Sequence, residues 1–140
     1  KDDQFFSVRV AYQCPVKVNL SAESKTEEVF SNTFEDALVF ENISMFKDLQ
    51  GSGLIKKFND AIKSAKSSAD LGLAMFENLK IGKKAEFALE MLDLQGPNQL
   101  NVPTYIKEGL SWLQEQVRIK QKEVFIPVEN SVLEGKGEHR

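Results

Sequence analysis

"LGLAMFENLKIGKKAEFALEMLDL", residues 71–94, decides the fold, because it can be read as a pair of strands or as two helices. In its second half Phe87, Leu89 and Met91 alternate with Glu86, Ala88 and Glu90, the period-two pattern of a strand with one buried face. Gly82, Lys83 and Lys84 then sit near the turn between two strands. Against this, Ala, Glu, Leu and Met are strong helix formers, although Gly72 weakens a helix in the first half. The alternation favours two strands.

Working outward, "FFSVRVAYQCPVKVNL", residues 5–20, alternates more strictly. Phe6, Val8, Val10, Tyr12, Cys14, Val16, Val18 and Leu20 all lie on even positions, with mostly polar residues between them. Valine favours extended backbone, and Pro15 lacks the N–H of a central ladder position. The expectation is two strand segments, about 5–13 and 16–20, whose even row forms part of the core.

The rest reads as helix and punctuation. Ser24 with Glu27 resembles a capping box, with Thr26 as the other candidate cap, ahead of "EEVFSNTFEDALVF" at 27–40. Val29, Phe30, Thr33, Phe34, Ala37 and Leu38 recur there at helical spacing. "GSG" at 51–53 connects to residues 54–69, where Leu54, Ile55, Phe58, Ala61, Ile62, Ala65 and Ala69 form one stripe. "GPNQLNVP" at 96–103 interrupts regular structure, and Pro103 is suited to open a helix running to about residue 122. "EVFIPV" at 123–128 reads as a short edge strand. The expected fold is therefore α+β: a single domain over 1–128 with an antiparallel sheet packed against about three amphipathic helices. Residues 129–140 have little to bury and are expected to form a flexible tail.

With 140 residues, 41% of them hydrophobic, the chain can bury a core without a disulfide or metal. The net charge of −3 gives no basic excess for nucleic acid. No apolar run approaches the roughly 20 residues of a membrane span. The chain begins at Lys1 rather than Met, so a cytoplasmic location and export after removal of a signal sequence both remain open.

Candidate chemistry is sparse. His139 is the only histidine and lies in the expected tail, which removes a histidine-based relay. Cys14 is the only cysteine, and its place in an apolar row marks it as a small packed hydrophobe. Glu27, Glu28, Glu35, Asp36 and Glu41 offer carboxylate pairs, but a general acid needs burial or tight coupling that a solvated helix face does not give. "GSG" before a helix could cradle a phosphate with Lys56 or Lys57, yet it lacks the spacing of a nucleotide-binding loop. Residues 54–84 carry seven lysines against three acids, while residues 21–50 carry seven acids against two lysines. The two regions are expected either to pack together or to present opposite poles to a partner. No catalytic residue, cofactor or metal site is expected.

The helix after Pro103 carries the functional expectation. Ile106, Leu110, Leu113 and Val117 follow 4-3-4 spacing and form a sufficient core stripe. Tyr105, Trp112 and Ile119 form a second line at seven-residue intervals, with Lys107 at its border. Tyrosine and tryptophan combine large contact area with a polar handle and are enriched at binding hot spots. Gly109, between them, would admit close approach of another chain. Tyr105, Lys107, Trp112 and Ile119 are thus the candidate partner-binding residues of a non-enzymatic inhibitor, adaptor, chaperone or neutralising protein. Its partner is another protein, with self-association included. A small apolar-ligand carrier or modest enzyme with a pocket between sheet and helices is the alternative, and a structural or assembly component is another.

Overall fold

Thr33 opens the first helix by holding Asp36, and much of the architecture is set at such helix starts. A computed structural model describes residues 7–21, 25–93 and 100–124. Among them are two short strands, β1 (Val16–Val18) and β2 (Glu27–Val29), and six helices. The helices are α1 (Phe34–Phe40), α2 (Ile43–Asp48), α3 (Gly53–Ser64), α4 (Ser68–Ile81), α5 (Lys84–Asp93) and α6 (Thr104–Val124). The strands pair antiparallel, with Val16 opposite Val29 and Val18 opposite Glu27. The described chain is therefore α+β but dominated by helix. It divides into two units, residues 1–109 and 110–140, with the boundary inside α6.

The core of the first unit is built on α1 to α5. Leu54, Ile55, Phe58, Ala61 and Ile62 of α3 are buried, as their helical stripe requires. Phe58 meets Phe46 of α2 edge-on at 6.5 Å and Phe87 of α5 edge-on at 5.5 Å, while Phe46 and Phe87 stack at 6.3 Å. Each such pair contributes about 0.5–1.5 kcal/mol beyond the area it buries. Asn59, also buried, donates from Nδ2 to the carbonyls of Phe46 at 3.0 Å and Lys47 at 2.7 Å. It thereby satisfies carbonyls that the end of α2 leaves without helical partners.

Residues 71–81 and 84–93 are helical where strands were expected, and Leu94 lies outside the described residues. Leu71, Met75 and Leu79 are buried at four-residue spacing on α4, and Ser67 caps that helix by accepting from the Asp70 N–H at 3.1 Å. On α5 only Phe87 is buried and Met91, one turn on, is partly buried, whereas Leu89 is exposed. Helical propensity and the i, i+4 relation thus override the alternation of Phe87, Leu89 and Met91. Gly82 ends α4 where a Cβ would fall 2.2 Å from Leu54 Cδ2, so a larger residue there would force α3 or the end of α4 to shift.

The N-terminal row is also corrected. Residues 7–15 form no strand, and Val8, Val10 and Tyr12 are exposed; Phe6 lies outside the described residues. A strand needs a partner ladder, and β2 supplies only three residues, all paired with Val16–Val18. Of the even row, Val18 is buried, Val16 and Leu20 pack partly against the core, and Cys14 is half-buried.

The helix expected over 27–40 begins later, at Phe34. Thr33 Oγ1 accepts from the Asp36 N–H at 3.3 Å, and Asp36 Oδ1 accepts from the Thr33 N–H at 2.7 Å, a closed capping box. Asp36 Oδ2 takes the Asn32 N–H at 2.8 Å, so this buried carboxylate is fully partnered. Glu27, in β2, instead reaches α4, where its Oε2 accepts the Ser68 N–H at 2.8 Å and also the Ser68 hydroxyl. Ser24 lies outside the described residues. The helix expected over 54–69 stops at Ser64, because Ala65 is extended and Ser67 starts a new helix. Glu123 and Val124 of the expected terminal strand belong to α6, and the remainder, with the expected tail at 129–140, lies outside the described residues.

Candidate functional site

The start of α6 is fixed by the end of α1. Glu41 accepts the Thr104 N–H with both carboxylate oxygens, at 2.8 and 3.0 Å, and the Thr104 hydroxyl at 2.6 Å. Asn42 Oδ1 accepts the Asn101 N–H at 2.7 Å, and Asn42 Nδ2 donates to the carbonyls of Leu38 at 2.8 Å and Asn101 at 2.9 Å. Pro103 is fully buried, and its carbonyl takes the N–H groups of Ile106 and Lys107. A carboxylate at a helix N-terminus satisfies free N–H groups and complements the helix dipole. Glu41 does this for α6 from another element.

The candidate residues fall in two places. Tyr105 and Lys107 belong to the first unit, Trp112 and Ile119 to the second. Tyr105 is half-buried, and burial, then Asp36 and Glu35, push its hydroxyl above the usual phenol range. Lys107 and Ile119 are exposed, and Trp112 is half-buried. Gly109 does admit a close approach, but by this chain: a Cβ there would lie 2.8 Å from Ala11 Cβ.

The expected core stripe is not buried. No described residue of α6 is fully buried, and Leu110, Leu113 and Val117 keep 59%, 51% and 47% of their surface exposed. Spacing placed these three residues on one helix face correctly but could not show what covers that face. Elsewhere on the helix, charges pair locally: Arg118 grips Glu115 at 2.6 and 2.8 Å, and Lys120 reaches Glu123 at 2.9 Å.

The acids that offered catalytic pairs are mostly engaged in structure. Asp36 and Glu41 hold helix starts, and Glu27 binds Ser68. Glu35 meets Lys84 at 3.3 Å, the one ion pair among the described residues that joins the acidic region to the lysine-rich one. Burial raises the Glu35 carboxyl, but its own N–H, the Thr33 hydroxyl and Lys84 outweigh burial and leave it below the usual carboxylate range. Ser52, ahead of α3, hydrogen-bonds Glu90, so a carboxylate stands where a phosphate would approach that helix start. Among the described residues no three His, Cys, Asp or Glu side chains are grouped to hold a metal. No described helix is long and apolar enough to cross a membrane. No protein-family model, curated protein or solved structure matches this chain.

Proposed function

We propose that this chain is a non-enzymatic protein-binding domain whose contact element is the Leu110–Leu113–Val117 face of α6. The exposure of those three side chains carries the reading. Single exposed aliphatic residues are ordinary, but three at spacing of three and four residues make one continuous strip. Such a strip is how an amphipathic helix docks into an apolar groove of a partner. Trp112 and Ile119, on the second line, extend the contact, and tryptophan is among the residues most enriched at hot spots. Inhibition, escort, adaptation and neutralisation all require only such a shaped surface.

A Leu113→Asp, Val117→Asp double variant tests this. Both positions are exposed, so the circular dichroism spectrum and melting temperature should stay unchanged. A partner recovered from source extract by the wild-type chain should bind this variant more weakly by about 2 kcal/mol or more, roughly thirtyfold. Equal affinity for the folded variant would overturn the proposal, and so would a large loss of stability, which would show the face to be core.

A further inference from the structure

A second surface lies wholly within the first unit. The connection from β2 to α1 and the first turns of α4 enclose a groove of about 260 Å³. Phe40 and Gly72 line it, as do Phe30 and Leu73, which leave 58% and 64% of their surface in water. Among the described residues its charged lining is Glu28 and Asp36, with no lysine or arginine. Asp36 is held by the N–H groups of Asn32 and Thr33, so its charge is fixed in place. The Glu28 side chain makes no hydrogen bond or ion pair with any described residue; Lys17, its ladder partner, forms no ion pair with it and does not line the groove.

Gly72 is the most telling lining residue. Glycine is the poorest helix former after proline, yet this one sits inside α4. Packing does not demand it: among the described residues, its own helix backbone aside, a Cβ there would meet only Phe40 Cζ, at an ordinary 3.7 Å. The missing side chain keeps the groove open. At 260 Å³ the groove falls below the roughly 300–1,000 Å³ of small-molecule sites. A lining that sets Phe30, Phe40 and Leu73 beside the acidic Glu28 and Asp36 selects an apolar group carried by the opposite charge.

We propose that this groove docks a cationic segment of a partner protein, taking one aliphatic or aromatic side chain flanked by lysine or arginine. The test uses the full chain and three labelled helical peptides: one of leucine and lysine, one with lysine replaced by glutamate, and one with leucine replaced by serine. Fluorescence anisotropy should show binding of the leucine–lysine peptide alone, weakened by salt. Leu73→Lys changes an exposed side chain and should reduce affinity at least tenfold, and Glu28→Gln should reduce it severalfold. Gly72→Ala should raise the melting temperature while weakening the peptide. The Leu113→Asp, Val117→Asp variant should bind the peptide like wild type, which separates this groove from the α6 face. Unchanged affinity in Leu73→Lys, equal binding of the glutamate peptide, or loss confined to the α6 variant would each overturn the proposal. So would self-association of the unliganded chain that Leu73→Lys abolishes, since the occupant would then be a second copy.

Discussion

Gly72→Ala and Gly82→Ala make the same chemical change ten residues apart, and the structure gives them opposite signs. At Gly72 the backbone is helical and the added Cβ has room, with Phe40 Cζ at 3.7 Å as its only neighbour within 4 Å among the described residues outside its own helix backbone. Replacing an interior helical glycine by alanine then stabilises by about 0.8–1.0 kcal/mol, because the unfolded chain loses freedom and the helix gains a better former. For a chain of this size that corresponds to a rise in melting temperature of about 3–5 °C. At Gly82 the new Cβ would fall 2.2 Å from Leu54 Cδ2, 2.6 Å from Leu54 Cγ and 2.8 Å from the Asn78 carbonyl oxygen. Leu54 is buried and cannot swing away freely, so overpacking should cost about 1–3 kcal/mol. Urea unfolding monitored by circular dichroism reads both, provided that the denaturant slope is unchanged and the midpoint alone moves. A Gly72→Ala protein no more stable than wild type would refute the reasoning. It would mean that residue 72 is not in an open helical position, and the groove beside it would lose its basis.

Three further outcomes follow from the contacts. Val10→Asp should alter stability by less than about 0.5 kcal/mol in thermal melts, because Val10 is 71% exposed; unfolding would restore the buried N-terminal strand. Asn59→Leu should lose about 1–3 kcal/mol in urea unfolding, since the carbonyls of Phe46 and Lys47 would be left without their donor. Glu27 is held below its ordinary value of about 4.5, first by the Ser68 hydroxyl and then by the Ser68 N–H. A carboxyl lowered in the folded state adds stability above its unfolded value and loses it as pH falls through the folded value. The melting-temperature advantage of wild type over Glu27→Gln should therefore be present at pH 7 and shrink on acidification below about 4.5; an advantage that persists unchanged in acid would remove Glu27 from the acid response.

What the sequence made legible was the local geometry, and what it hid was the identity of each element's neighbour. The α3 stripe was readable because Leu54, Ile55, Phe58, Ala61 and Ile62 are apolar while Lys56, Asp60 and Lys63 are polar, so one periodicity dominates. On α4 the buried residues Leu71, Met75 and Leu79 also keep helical spacing, but exposed Leu73 and Phe76 fall between them and blur the contrast. The apolar residues that obscured α4 as a helix include Leu73, which lines the acidic groove. Similarly, the alternation of residues 7–15 is genuine, yet forming a strand depends on a partner that sequence distance conceals, and β2 is spent on Val16–Val18. On α6 the spacing correctly grouped Leu110, Leu113 and Val117 on one face, but the step from shared face to core assumed a covering element. An apolar stripe states only that a helix favours cover. Where the rest of a core supplies it, the stripe is structural; where those side chains remain half in water, the same physics makes them available to a partner.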